Sequence, residues 1–437
     1  MFSTTTASTN RRIGRKLLVG IAAIGITAAA LTGCSPTASG GKTSGATLAN
    51  GVDNGTTLTM WTRAATQGQS ERFVKLYNST HKNQVKLTVI PTDDYQPKIG
   101  AAAGSKSLPD LFASDIAFVP NYTSKGLFLD LTSRIKALPY GKDLTPAFIK
   151  AGTFDGKEYV VPHVMDLSVM FYNKTLFTKA GLDPSHGPAT MAEFATDAKA
   201  IQKLGGGVSG TFFGGNCGGC LVFTWSPSVW ADGQQIMNPA GSSSNMASPE
   251  AKSVFAVYRD LYQSGDTAAG TKTETGATWT APFATGKVGL MPMPASTLGS
   301  QSADTGVSGI PGVNGGSSTF VGGDGIGISA TSKNADAAWN FLAWSESTTA
   351  QLDVLAKNHD IVARTDLANN KYAATDPRVV TINKVAAQGV TPFSLNFGAA
   401  FNDPNGPWLV LVRDAIFGDA SKVDADNAAL NSVLAGK

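Results

Sequence analysis

The sequence predicts an α/β protein built as two lobes joined by a hinge. Three observations lead there. Strand and helix patterns alternate at the start of the folded body, the signature of a sheet with parallel strands. About 400 residues follow an export-like N-terminus, whereas single hydrophobic cores stop growing at about 250–300 residues. Three later stretches mix glycine or a lone charge into strand-like runs, as segments crossing between lobes would. The hydrophobic fraction of 42% is enough to fill two cores of that size.

At the N-terminus, Arg11, Arg12, Arg15 and Lys16 precede an apolar run from Leu17 to Leu31. A basic region followed by a short apolar one is the pattern of an export signal, and fifteen residues fall short of the roughly 20 that span a bilayer. The run ends in Leu31-Thr32-Gly33-Cys34. This looks like the bacterial lipobox, whose cysteine becomes the lipid-modified first residue. Residues 1–33 are therefore expected to be a lipoprotein signal peptide, with Cys34 carrying a fatty acyl anchor such as palmitate. Residues 34–55 are rich in Gly, Ser, Thr and Ala and lack an apolar period. They are expected to be a flexible tether reaching roughly 25 Å. Residues 1–33 hold four of the 35 Lys and Arg and none of the 32 Asp and Glu, so the remainder carries 31 basic and 32 acidic residues, a net of −1. Nothing in that balance calls for nucleic acid or an anionic membrane surface as partner, and membrane contact is expected through the lipid alone.

Along the body, Thr57 to Trp61 alternates as a strand. A helix opens at Ser70 and Glu71 with Phe73, Leu76 and Tyr77 on one face. Val85 to Ile90 keeps the alternation, and Asp110 to Ala113 forms a short third strand. Thr190 to Glu193 has capping-box spacing, followed by the stripe Phe194, Ala198, Ile201 and Leu204. Ser248-Pro249-Glu250 starts a helix that buries Val254, Phe255, Tyr258 and Leu261. Another begins near Asn334, with Trp339, Phe341, Leu342 and Trp344 at core spacing. The predicted crossings are Val164 to Tyr172, interrupted by Asp166, then Thr319 to Ile328, then a stretch near Tyr372 to Pro377. A few backbone dihedrals in such segments can absorb lobe closure. These crossings set the expected lobes at 56–166 with 325–374, and 167–324 with 375–437.

With Cys34 assigned to the anchor, Cys217 and Cys220 remain, as C-G-G-C in a glycine-rich loop. A local disulfide stiffening that loop fits an oxidising location. A redox C-x-x-C would want a thioredoxin-like surround, and zinc would want two further ligands; neither is evident.

The ordered pieces carry a resemblance. Leu58-Thr59-Met60-Trp61, Leu108 to Phe112, Asp155 to Pro162, Phe171-Tyr172-Asn173-Lys174 with Ala180-Gly181-Leu182, Phe283 to Met291 and Ala337 to Leu342 follow one another as in the family 1 extracellular solute-binding proteins of ATP-driven importers, the group that contains the maltose-binding proteins. Gly289 stands where that family usually has Ala. Phe223 to Gly233 resembles the version in sugar binders of high-GC Gram-positive bacteria. The resemblance implies a hinged, type II periplasmic-binding-protein-like fold with ligand in the interlobe cleft. It implies a carbohydrate ligand, an oligosaccharide, held at the outer face of a bacterial cell membrane. The implied partners are transmembrane permease subunits with a cytoplasmic ATPase, and the implied state is a monomer without cofactor.

A sugar presents vicinal hydroxyls, which a carboxylate accepts as strong charge-assisted bonds, and C–H faces, which pack on aromatic rings. Candidates are therefore polar and aromatic residues at strand ends and crossings: Trp61 and Arg63 after the first strand, Asp94 beside Tyr95 after the second, Asp115 after the third, and Asp166 in the first crossing. Asn216, Trp225 and Trp230 flank the cysteine loop, with one Trp expected to stack on ligand and the choice left open. Gly323 and Asp324 lie on the second crossing; Asn396 and Phe401 belong to a late segment that could close over the cleft. His163 is read as a structural residue.

The rival readings are weaker. A secreted glycoside hydrolase needs two carboxylates roughly 5–10 Å apart across a sugar, and Glu is scarce near the candidates. No G-x-S-x-G, H-E-x-x-H, P-loop or EF-hand pattern occurs, and the chain is expected not to be an enzyme. An adhesin would show repeats or all-β spacing. A phosphate binder would show a basic cluster, and a metal site grouped His, Cys or carboxylates.

Overall fold

A computed structural model describes residues 45–437. The expected signal peptide and Cys34 lie outside the described residues.

Among the described residues one seven-stranded sheet dominates. Its strands are β1 (Thr57–Arg63), β2 (Gln84–Ile90), β3 (Leu111–Asp115), β4 (Val161–Asn173), β5 (Leu290–Pro294), β6 (Thr305–Ser308) and β7 (Val321–Ile328). The order starts β2-β1-β3-β7-β4. β1 runs parallel to β2 and β3, and β7 is antiparallel to both β3 and β4. Leu58, Met60 and Thr62 on β1 are buried and alternate with more exposed neighbours, which is the alternation the sequence shows.

β4 belongs to two sets of partners. Val161 to Leu167 pairs with β7, and Ser168 to Asn173 is flanked by β5 on one edge and β6 on the other. It is buried along nearly its whole length, so its sequence reads as a continuous apolar run, as strands covered on both faces do. Gly323 on β7 has φ +110°, and a Cβ there would lie 2.0 Å from the Val164 carbonyl oxygen. Only glycine allows the two strands to approach this closely at that point.

Helices cover the sheet where their apolar stripes predict. α1 (Gln67–Thr80) buries Phe73, Val74 and Tyr77. α2 (Met191–Gln202) is capped by Thr190, whose hydroxyl accepts from the Glu193 amide at 3.0 Å. It stops at Gln202, so Leu204 is 37% exposed instead of extending the stripe. α3 (Gly218–Ala231) follows the cysteine loop, α4 (Pro249–Gln263) is capped by Ser248, and α5 (Ala335–Ser345) buries Trp339, Phe341 and Leu342. One core joins α1 and α5 to β1; another gathers α2, α3, α4 and Trp408; a third follows β4 between them. Each large apolar side chain so buried contributes about 1.5–3 kcal/mol.

The tether expectation needs correction at its end. Residues 45–55 are fastened to the body. In the short helix Gly45–Asn50, the Leu48 carbonyl accepts from Trp339 Nε1 and the Asn50 carbonyl from Asn340 Nδ2, both at 2.7 Å. The Asn83 side-chain carbonyl accepts the amides of Asn54, Gly55 and Thr56. The fastening uses hydrogen bonds supplied by later residues, which composition does not register. No described helix is long and apolar enough to cross a membrane.

Candidate ligand-binding cleft

The cleft is built from strand ends. Parallel strands present their C-terminal ends together, which is where α/β sheets bind ligands. Arg63 ends β1 and Asp115 ends β3, and Asp324 lies opposite Asp115 on β7. Arg63 donates to Asp324 Oδ1 through Nε at 2.7 Å and Nη2 at 2.6 Å, and its Nη1 sits 3.3 Å from Asp115 Oδ2. Thr66 Oγ1 donates to the other Asp324 oxygen at 2.6 Å. Asp324 has no exposed surface, whereas Arg63 and Asp115 keep side-chain exposures of 15% and 28%. Asp324 thus fixes the guanidinium from behind, and Arg63 and Asp115 form the presented face. Burial works against the Arg63 charge, but Asp324 and Asp115 outweigh it and hold its pKa above the ordinary value. Burial raises the Asp115 pKa, with Arg63 opposing.

Behind this group runs a chain of buried hydroxyls. Thr62 Oγ1 meets Thr66 Oγ1 at 3.1 Å and Ser70 Oγ at 3.0 Å, and Ser70 Oγ meets His163 Nε2 at 2.9 Å. Burial depresses the His163 pKa to about 4, so the ring is neutral at neutral pH. His163 is 1% exposed and structural.

A cavity of about 390 Å³ opens in front of Arg63. It is lined by Arg63, Thr66, Gln69 and Asp115 from β1, the start of α1 and β3, by Val164, Met165, Asp166, Gly322 and Gly323 from β4 and β7, and by Cys220, Phe223, Trp279, Ser296, Phe397 and Asn402 from other parts of the chain. A neighbouring chamber of about 480 Å³ shares Arg63, Asp115 and Asn402 and adds Tyr95, Phe118 and Asp403. Asp166 Oδ1 accepts from the amides of Leu167 at 2.9 Å and Ser296 at 3.0 Å, and Oδ2 accepts from the Ser296 hydroxyl at 2.7 Å. Burial pushes its pKa up to about 6 against these bonds.

The structure therefore brings Arg63, Asp115, Asp166 and Gly323 to one cavity, with Asp324 directly behind. It places the others elsewhere. Trp61 is half-buried beneath Lys98, whose Nζ is 5.1 Å from the ring centroid, and it lines neither chamber. Asp94 is exposed on a helix, Thr92–Gly104, outside both chambers. Asn216 bonds to Arg413, and Asn396 donates to the Leu434 carbonyl at 3.1 Å. Phe401 is fully buried between Phe397 and Trp408. Trp225 is 1% exposed and stacked at 4.2 Å on Phe255. Trp230 packs on Phe320 and borders a separate cavity of about 540 Å³. Cys217 and Cys220 are joined by a disulfide.

The aromatic side chains at the cavity are Phe223, Trp279, Phe320 and Phe397. Two of them are half-buried, Phe223 and Trp279, and neither was singled out from the sequence. Residues two apart on a helix point to different faces: Trp225 is buried within the core, whereas Phe223 packs at its edge on Phe320, 5.2 Å between ring centroids, and lines the cavity. Trp279 had a weak signal: it follows a stretch of Thr, Glu, Gly and Ala without an apolar period. Among the described residues, no group of three or more His, Cys, Asp or Glu could hold a metal ion.

A family model described as bacterial extracellular solute-binding protein matches residues 72–381. The chain belongs to that family. This solute-binding protein is 26% identical over 406 residues to the diacetylchitobiose binding protein DasA of Streptomyces coelicolor, covering 90% of the chain and 92% of DasA. It is 42% identical over 81 residues, 16% of each chain, to a carbohydrate ABC transporter substrate-binding protein of Streptococcus pneumoniae. Its fold matches the cyclic alpha-maltosyl-1,6-maltose binding protein of Arthrobacter globiformis with a TM-score of 0.74, at 23% identity, over 88% of this chain and 100% of that one. The fold is thus the two-lobe type II form, and the family is one of binding proteins, not of glycoside hydrolases.

Proposed function

We propose that this solute-binding protein captures an oligosaccharide in the cleft before Arg63 and delivers it to an ATP-driven importer. The observation that carries the reading is the presence, in one cavity, of the Arg63–Asp115 ion pair and the half-buried rings of Phe223 and Trp279. The ion pair suits hydroxyls and the rings suit C–H faces. The relatives named for carbohydrates support the same ligand class. Asp166 and Gln69 add further hydroxyl partners.

The lobes in this reading are 56–166 with 325–374, and 167–324 with 375–437. Supporting this division, β4 changes partners between Leu167 and Ser168, and the β7 ladder has a register shift between Asp324 and Gly325. Closure about these points brings the two lobes onto the sugar. Cys34 anchors the protein by its lipid to the outer face of a Gram-positive cell membrane, where the monomer meets permease subunits driven by a cytoplasmic ATPase.

The test is a thermal-shift screen of residues 35–437 against diacetylchitobiose, maltose and longer oligosaccharides, followed by calorimetry and product chromatography. Saturable binding without cleavage is expected; hydrolysis products would overturn the reading. For the anchor, Cys34→Ala in the full chain should abolish fatty-acid labelling and release the protein from cells.

A further inference from the structure

Trp279 stands on a segment without regular structure, between Gln263 and Ala281, yet it forms part of the cavity wall. It packs at the edge of a hydrophobic core and lies beside the disulfide loop. Glu274 accepts from the amides of Gly276 at 2.8 Å and Thr278 at 3.2 Å and from the Thr278 hydroxyl at 2.7 Å, which folds the segment into a tight turn. That turn lies against the sulfurs: Gly276 has φ +106°, and a Cβ there would sit 2.7 Å from Cys217 Sγ and 3.1 Å from Cys220 Sγ. A Cβ on Gly214 would lie 3.3 Å from Cys217 Cβ, 3.5 Å from Cys220 Cβ and 3.5 Å from Trp279 Cβ, so Trp279 and the cysteines share one small space. The backbone ties the same two segments together, with Gly215 N donating to Thr271 O at 2.8 Å and Asn216 N to Glu274 O at 2.9 Å. Cys217 caps α3, and Cys220 lies in its first turn and itself lines the cavity.

We propose that the Cys217–Cys220 disulfide is a positioning element for Trp279, and through it sets the affinity of the cleft. The bonded sulfurs are the surface against which the Gly276 backbone packs, and without them the turn loses that support. Losing the bond therefore displaces the turn that carries Trp279. This rests on the reading that the cleft binds a sugar through its aromatic wall.

The experiment compares wild type, the double variant Cys217→Ala/Cys220→Ala, Gly276→Ala, Trp279→Ala and the triple variant lacking both cysteines and Trp279. Binding of diacetylchitobiose, maltose and maltotriose is measured by calorimetry, with urea midpoints recorded to report folding. The double variant and Gly276→Ala should each bind about tenfold more weakly, a loss of about 1.4 kcal/mol. The triple variant should bind no more weakly than Trp279→Ala alone. Cysteine variants that bind like wild type, or losses that multiply in the triple variant, would overturn the proposal. If wild type binds none of these sugars, the sugar reading is what has failed, and positioning is then read without ligand. Acrylamide quenching of Trp279, taken as wild type minus Trp279→Phe, should change at least twofold when the cysteines are removed; an unchanged constant refutes the disulfide's role.

Discussion

Phe223 and Trp225 show how two aromatic residues on one helix divide between cavity and core. Trp225→Ala removes a ring packed on Phe255 and Trp408 and should cost about 3–5 kcal/mol of stability in urea denaturation. Phe223→Ala, at the cavity, should cost less than half of that while weakening oligosaccharide binding about tenfold, or about 1.4 kcal/mol; calorimetry separates the two. Arg63 and Asp115 were legible in the sequence because strand ends converge by rule. The choice among tryptophans was not, because it depends on which face of α3 meets Trp408, nearly two hundred residues away. Asp166 gives a third test. Its carboxyl has a pKa of about 6 in the fold against 3.8 ordinarily. The protonated form is favoured in the folded state, so its stabilising effect is present at low pH and lost as pH rises from 3.8 through 6. Asp166→Asn keeps the bond from the Ser296 amide and reverses the other, its Nδ2 donating to the Ser296 hydroxyl oxygen, and should raise stability at pH 7.5 by about 1–3 kcal/mol. The gain should shrink as pH is lowered from 6 towards 4. A variant less stable than wild type at pH 7.5 would refute this account.

At the scale of elements, alternation and capping residues made most of the body legible. β1, β2 and β3 and helices α2 and α4 lie where their periods and caps place them, within a few residues. β4 was visible as an apolar run with one carboxylate, but not its two sets of partners, because pairing between distant segments leaves no local mark. The short helix Gly45–Asn50 was hidden for the same reason: its hydrogen-bond donors are on α5. At Gly323 the β4 backbone leaves no room on β7 for a Cβ. Gly323→Ala combines a positive φ with a collision against the Val164 carbonyl, each worth about 1–3 kcal/mol. It should lower the urea midpoint by the equivalent of more than about 2 kcal/mol. A substitution at Gly286, where φ is also positive but the space is open, should cost less.

For the whole molecule, binding and stability are linked. A sugar that binds only the folded state should add about 2.7 kcal/mol at a hundredfold excess over Kd. If the lobes close on it, the radius of gyration in small-angle scattering should fall on saturation; an unchanged radius would argue for a rigid cleft. His163 places a limit on the acid side. Its folded pKa of about 4 lies below the ordinary 6.5, so folding excludes a proton that the unfolded chain accepts. Its contribution is complete above about pH 6.5 and is lost as pH falls towards 4, up to about 3 kcal/mol. The sheet order has a separate consequence, for the way the chain is made. β7 lies between β3 and β4, yet it follows them by some 150 residues or more. Until residues 321–328 emerge, β3 and β4 have no partner for the edges that face each other, and the sheet cannot close. Such distant pairing slows folding, and open edges invite association between chains. A nascent chain halted before residue 321 is therefore a sticky species, and the final third of the polypeptide decides whether the first third can become native.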